Sequence, residues 1–279
     1  MIKLSLIQTS QNRINQVRRF VNSLNEQINI NFEEIQYIFV DQGDHLSAFT
    51  KLNEKIKFEY IKSDKCSLSH ARNIALKLVK GNYVAFPDDD CWYQADTISK
   101  VYSILDNGIY NGVTCVGYNE NMIPTSTFPP ASSKINRLNL CAAISYTLFL
   151  SYEKSLSFDE NMGVGSPHNI GSGEESDYLL TLLESYNHNV FYDASIIVHH
   201  PAEIDVPKDV VALQKAYKYA RGDGYLLIKH EMPLHLILKS LIRPLIGILW
   251  FTITIRPFEA KRSYYRLKGR IEGLTFKLK

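Results

Sequence analysis

Along residues 1–118 the hydrophobic positions switch repeatedly between a short-period and a helical pattern. Ile2–Gln8 is apolar-rich and reads as a strand, after which Ile14, Val17, Val21 and Leu24 recur at helical spacing. Ile35–Val40 is a continuous apolar run that stops at Asp41-Gln42-Gly43-Asp44, a strand followed by a turn. Lys57–Ile61 predicts another short strand, and Ser69–Val79 a helix with Ser69 as candidate N-cap. Gly81-Asn82 breaks that helix before the strand Tyr83–Phe86; Asp96–Leu105 then reads as a helix and Gly112–Tyr118 as a strand. Alternation of this kind predicts an α/β fold with a mostly parallel, doubly wound sheet. Such sheets bind ligands at the carboxyl ends of their strands, near a switch point. Thr9, Asp41 and Asp88 all follow predicted strand ends, so the fold would gather them on one edge.

The remainder is less regular. Residues 119–141 are rich in Pro, Ser, Thr and Asn and read as a loop, followed by a strand over Ala142–Leu150. Phe158–Gly173 holds four glycines and reads as a flexible stretch; Glu174–Tyr186 is helical by its leucines; Val190–Tyr192 and Ile196–His199 read as two short strands. Val210–His230 predicts a helix interrupted at Gly222-Asp223-Gly224. Leu234–Ile255 is mostly apolar, but its charge-free part, Pro244–Ile255, falls short of the ~20 residues needed to span a bilayer. With flanking basic residues and Trp250 inside it, this segment reads as an interfacial or re-entrant helix; the alternative is a buried helix pair closing the domain.

A net charge of +2 conceals a polarised chain. Acidic residues outnumber basic ones through residue 207, and the balance reverses from 208 to the end, where Lys261–Lys279 has Glu272 as its single acid. A basic C-terminal arm behind an apolar helix fits an anionic membrane surface. The four cysteines, 66, 91, 115 and 141, form no CxxC pair, and the opening segment turns polar too soon for a secretory signal. Reduced thiols in a cytoplasmic protein are the expectation.

The triplet Asp88-Asp89-Asp90, at the end of the run Tyr83–Pro87 and just before Cys91-Trp92-Tyr93, carries the strongest chemical signal. Three adjacent carboxylates repel one another and call for a compensating cation; at a strand end they offer hard oxygen ligands to Mg²⁺ or Mn²⁺, which complete their shells with substrate phosphates. The alternative is a solvated acidic turn. Five further segments bear on this. Thr9-Ser10-Gln11-Asn12-Arg13 follows the first strand and could equally be an N-cap and turn. Asp41 could accept a hydrogen bond from a nucleobase imide or simply form its turn. Arg72, opening a helix, works against the macrodipole unless it reaches an anion such as a diphosphate, or else lies on the surface. Ser172-Gly173-Glu174-Glu175-Ser176-Asp177 starts a helix with acidic residues, either as ordinary dipole complements or as a general base whose pKa its neighbour raises. Finally, His199-His200-Pro201 ends a strand, and one of the two histidines is a candidate metal ligand.

In this order the segments resemble glycosyltransferase family 2, the inverting nucleotide-sugar transferases of the Rossmann-like GT-A fold. Gln8–Arg13 is similar to the family's P-T-Y-N-R turn, with Gln8 and Ser10-Gln11 departing from it. Val40–Asp44 resembles V-D-D-G-S, Ala71-Arg72-Asn73 the A-R-N segment, and Phe86–Trp92 the F-L-D-x-D-D-x-W region. Gly173-Glu174-Glu175 resembles G-E-D, with Glu175 standing where the family has an aspartate, and His200-Pro201 resembles the last metal-ligand position. The resemblance implies donor binding by Thr9, Asn12, Arg13, Asp41, Arg72, Asp88 and Asp89. It implies a Mn²⁺ or Mg²⁺ on Asp88, Asp90 and His200, with His199 the alternative, and a catalytic base at Glu175 or Glu174. Residues 1–207 would form the GT-A domain, with a donor-binding half (1–120) and an acceptor half (121–207), and 208–279 a basic amphipathic helical region.

The implied reaction is a metal-dependent, inverting transfer from a nucleotide-sugar, UDP-linked by its uracil-type pocket, to a saccharide or lipid-linked acceptor in cell-surface polysaccharide synthesis. No nucleic-acid partner is expected, and the C-terminal region would hold the protein peripherally on the cytoplasmic face of a membrane. A nucleotidyltransferase is the alternative enzyme, although Thr9–Arg13 lacks the glycine of a phosphate loop. A non-catalytic saccharide-binding scaffold is the alternative of another class.

Overall fold

The computed structural model describes residues 1–141, 143–201 and 208–277. The predicted strand start at Ala142, the predicted boundary at 207 and the last tail residue, Lys279, lie outside the described residues. The elements in chain order are β1 (Leu4–Ser10), α1 (Ile14–Asn25), β2 (Ile35–Asp41), β3 (Lys57–Lys62), α2 (Leu68–Leu76), β4 (Tyr83–Ala85), β5 (Trp92–Tyr93), α3 (Thr97–Leu105), β6 (Gly112–Tyr118), β7 (Ser133–Lys134), β8 (Leu148–Ser151), α4 (Glu174–Ser185), β9 (Val190–His199), α5 (Val210–Lys229), α6 (Leu234–Ile253) and α7 (Pro257–Leu274). They divide into two compact units: Met1–Cys66, His70–Ser157 and Leu179–Ala202 form the first; Ser67–Ser69, Phe158–Tyr178 and Glu203–Lys279 form the second.

The first unit is built on a nine-stranded sheet in the order β3-β2-β1-β4-β8-β6-β9-β5, with β7 paired to β9. β1 is parallel to β2 and β4, β2 to β3, and β6 to β9, whereas β8 runs antiparallel between β4 and β6. Most strands therefore point one way. The parallel half is apolar because both its faces are covered: β2 is buried along its whole length. α1 lays Val17, Phe20, Val21 and Leu24 into the same core as Leu4, Leu6, Tyr37 and Phe39.

Four sequence expectations change here. β1 runs on through Thr9 and Ser10, because the ladder to β2 carries these polar residues to Val40 and Asp41. Ser69 is not a cap; it lies inside the first turn of α2, and its hydroxyl donates to the Met162 carbonyl at 2.6 Å. Only the end of the run predicted over Ala142–Leu150 is strand. Thr147 bonds back to Ile144, its hydroxyl to the carbonyl at 2.8 Å, and so holds Ser145–Thr147 as a tight turn. β9 is one strand rather than two: its pairing with β6 skips from Tyr192 to Ile197, so the polar Asp193-Ala194-Ser195 is a bulge inside it.

In the second unit Gly222-Asp223-Gly224 does not interrupt α5. A Cβ on Gly224 would clash with the Arg270 carbonyl oxygen, and one added to Gly269 or Gly273 of α7 would clash with the carbonyl oxygen of Tyr217 or Arg221. The glycines let two helix backbones touch rather than breaking either one. α6 is long and apolar enough, by length and composition, to cross a membrane, and most of its surface is exposed. Pro244 lies within it and cannot donate to the Ser240 carbonyl one turn back. Arg270 of α7 fills that vacancy, its Nη1 lying 2.6 Å from the Ser240 oxygen.

Candidate active site

β4 ends at Ala85, and Phe86-Pro87 leads directly into the aspartate triplet. The Gln8 amide, fixed on β1, donates to the Asp88 carbonyl at 2.9 Å and pins the turn. Beyond β8 and β6 in the same sheet, β9 leads into His200, whose N–H continues the ladder to the Tyr118 carbonyl at 2.9 Å. The ligand atoms of Asp88, Asp90 and His200 thus come within 4.8 Å of one another. His200 Nε2 lies 2.9 Å from Asp90 Oδ1 and 3.9 Å from Asp88 Oδ2. Nδ1 of the same ring donates to the Pro201 carbonyl at 2.7 Å, which directs Nε2 towards the carboxylates. Tyr146 stacks on the ring, with centroids 4.6 Å apart. His199 faces elsewhere: it stacks on Trp92, whose other neighbour is the Arg19 guanidinium at 3.7 Å.

The charge problem posed by three crowded carboxylates has a local answer. Burial favours neutral Asp90, but the hydrogen bond and charge of His200, with Arg13, outweigh it and hold the Asp90 pKa below its ordinary value. Burial also works against imidazolium, yet Asp90, Asp88 and the Pro201 carbonyl raise the His200 pKa. The carboxylates thus favour the proton on the imidazole, and a bound cation would favour its release. Two carboxylates and one imidazole at this spacing form a donor set that fits Mn²⁺.

Asp89 turns away from this group. It accepts from the Ser10 hydroxyl at 2.7 Å and from Arg13 at 3.0 Å, and burial, the largest influence, raises its pKa. Arg13 also pairs with Asp90, so it clamps two members of the triplet. Arg72, expected to reach an anion, is buried and reaches Asp88 at 3.2 Å, beside the Ser145 hydroxyl at 2.8 Å. Asp41 is buried with its carboxylate engaged by Tyr60, the Gly43 and His45 N–H groups, the His45 ring at 2.6 Å and Lys62 at 3.1 Å. Thr9 accepts from the Gln42 amide at 3.2 Å, and Asn12 is exposed.

His45 joins these groups, although no sequence motif singled it out. The Arg13 N–H donates to its Nε2 at 3.1 Å, which assigns the Nδ1 proton to Asp41; Ser10 Oγ is 3.1 Å from the same Nε2. Asp41, His45, Ser10 and Asp89 thus lie side by side at the ends of β2, β1 and β4, with the His45 Nδ1 proton towards Asp41 and the Ser10 proton towards Asp89. Ser145 and Tyr146 escaped notice because they sit in the turn misread as strand. The one available signal for His45 was its position four residues after Asp41.

Glu174 and Glu175 belong to the second unit and open α4. Gly173 precedes them at φ +92°, a left-handed conformation suited to glycine. Glu174 is buried, its carboxyl carbon 3.0 Å from where a Cβ on Gly163 would lie, whereas Glu175 is half-buried. Asp177, in the same first turn, is held by Lys229 at 2.8 Å and His230 at 2.9 Å; Lys229 also reaches Asp159 at 2.7 Å.

The model of glycosyl transferase family 2 matches residues 5–171. An uncharacterized glycosyltransferase of Haemophilus influenzae is 25% identical over 228 residues, 78% of this chain and 76% of the relative. Among solved structures, S. aureus TarS 1–349 in complex with UDP-GlcNAc aligns at a TM-score of 0.59 and 16% identity over 97% of this chain and 91% of that one; this chain spans 55% of a longer TarS chain. The mannosyltransferase PcManGT from Pyrobaculum calidifontis, in complex with GDP-Man and Mn²⁺, aligns at 0.64 and 14% identity over 98% and 87%. At these identities the solved structures establish the shared fold, while the family match covers more than half the sequence. The chain belongs to glycosyl transferase family 2 and is a glycosyltransferase of the GT-A fold.

Proposed function

We propose that this chain moves a sugar from a nucleotide-sugar to a saccharide or lipid-linked saccharide of a cell-surface polysaccharide, with inversion and with Mn²⁺ or Mg²⁺ as cofactor. The observation that carries the reading is the convergence of Asp88, Asp90 and His200. A cation held by these three residues would supply neutralisation of the charge that gathers on a departing diphosphate.

The chain's own residues supply the rest. Arg13 is the cation best placed to move from carboxylate to phosphate, because half its side chain is exposed. Arg72 and Ser145 keep the Asp88 carboxylate oriented. For Asp41 to receive a uracil imide directly, Lys62, its one largely exposed partner, must give way. Glu175 is assigned the acceptor proton: it is the more accessible of the pair, and Glu174 is enclosed beside Gly163. Attack on the face opposite the leaving nucleotide gives inversion, by the geometry of inverting glycosidases. The exposed apolar face of α6 and the basic residues of α6 and α7 support attachment to the cytoplasmic face of an anionic membrane.

The test is a panel of UDP- and GDP-sugars, scored for Mn²⁺-dependent thermal stabilisation and nucleotide release. At least one donor should respond, and Asp90→Ala should abolish the response. Absence of metal-dependent turnover across the panel, in a chain that still binds saccharide, would make it a scaffold instead.

A further inference from the structure

Among the described residues, a cavity of about 570 Å³ is lined by the three C-terminal helices α5, α6 and α7. Among the described residues its charged lining is one-sided: Lys215, Arg243, Arg262, Arg266 and Arg270 against Asp223. Arg270 has structural duties, one Nη on the Ser240 carbonyl that Pro244 leaves vacant and the other 3.3 Å from Asp223 Oδ2. Arg243, Arg262 and Arg266 form no hydrogen bond or ion pair to a carboxylate among the described residues. Partial burial, then the charges of Arg262, Arg270 and Arg243, push the Arg266 pKa down against the pull of Asp223.

Gathering the like charges of Arg243, Arg262 and Arg266 in one place lowers stability. A site for an anion explains why the helices do so, and the planar forks of guanidinium select phosphate oxygens. Apolar surface adjoins the charge: Pro244, Gly247 and Phe251 line the same cavity, and Arg243 also lines a second space of about 500 Å³ with Leu238, Ile242 and Ile246.

We propose that the cavity binds a phosphomonoester or diphosphate group through Arg243, Arg262 and Arg266. Such a group could arrive on a soluble molecule or as the head of a lipid whose chain follows α6. The site uses none of the Asp88, Asp90 and His200 cluster, and the proposal stands whether or not the chain transfers sugar.

The test uses the full chain with chelator present, so that no metal-bridged phosphate contributes. Inorganic pyrophosphate probes the soluble source by calorimetry. Phosphatidylcholine vesicles doped with phosphatidic acid probe the lipid source, against vesicles of matched charge doped with phosphatidylserine. Arg262→Gln and Arg266→Gln should each weaken binding to the responding probe roughly tenfold, the loss of one charged hydrogen bond. Ligand-free melting temperature should stay level or rise, because a repelling charge is gone and no described bond is broken. Pyrophosphate binding assigns a soluble ligand, and preference for phosphatidic acid without pyrophosphate binding assigns a lipid. The proposal is overturned if pyrophosphate does not bind and the two anionic vesicles bind alike or not at all, if the variants bind the responding probe like the parent, or if they melt lower without ligand.

Discussion

Replacing Gly224 by alanine sets two effects of opposite sign against each other. Helix propensity alone favours the change by about 1 kcal/mol in a helix interior. The structure opposes it: the new Cβ would sit 2.3 Å from the Arg270 carbonyl oxygen and 3.1 Å from its carbonyl carbon. Ordinary contact requires the backbones of α5 and α7 to part by about 1 Å, a gap that forfeits a quarter to a half of each dispersion contact along the seam. Gly269 and Gly273 hold the same two backbones together, so the separation cannot stay local. Overpacking of this kind costs about 1–3 kcal/mol, and more where no side chain can yield. The net expectation is a loss of about 1–2 kcal/mol, or several degrees in melting temperature. Gly247→Ala is the matched control: its nearest neighbour is the Ser263 hydroxyl at 2.7 Å, which can rotate away, so its change should be smaller. The assay is amide exchange read on α5 and α7, which localises the effect to their seam. If Gly224→Ala protected α5 as well as the parent does, or better, backbone contact would not be what those glycines serve.

His200→Ala should weaken Mn²⁺ binding by at least the 10–100-fold typical of losing a group that orients a ligand, whereas His199→Ala should leave Mn²⁺ affinity unchanged and cost about 1 kcal/mol from its stack on Trp92; metal titration followed by calorimetry separates the two. Glu175→Gln should lower transfer by about 10²–10⁴-fold with donor binding intact, and Glu174→Gln should lower it less; the reverse order, in single-turnover assays, would transfer the base role to Glu174. Burial favours protonated Asp41, but hydrogen bonds from Tyr60, His45 and the Gly43 and His45 N–H groups outweigh it and depress its pKa far below the ordinary value. Its stabilising contribution is therefore complete above the unfolded-state pKa of about 3.9 and fades as the pH drops below it. Urea titrations of the parent should lose stability in that acid window more steeply than those of Asp41→Asn, and parallel pH profiles would contradict the assignment.

Much of the first unit was legible because its signals are local. Buried parallel strands read as apolar runs, and α1 shows its face through Val17, Val21 and Leu24 at helical spacing. Asp88, Asp90 and His200 were legible as strand-end chemistry, since a doubly wound sheet collects strand ends on one edge. What escaped depends on long-range placement. His45 matters only through register, which sets Ser10 against Asp41. Ser145 and Tyr146 were hidden by an apolar run that Thr147 folds into a turn. Arg72 has the charge expected of a phosphate ligand, but nothing in its sequence context shows that it is buried against Asp88. In the second unit Gly222 and Gly224 looked like helix breakers, because the sequence does not reveal a second backbone passing within contact.

Pro244 has a consequence for electrostatics as well as for helix geometry. By leaving the Ser240 carbonyl without its helical donor, it draws one guanidinium nitrogen of Arg270 out of the cavity's positive field and into a backbone repair. The strength of that field is therefore set partly by an uncharged residue. Pro244→Ala would return the carbonyl to the helix, free Arg270 Nη1, and make the cavity more cationic without adding a charge to the sequence.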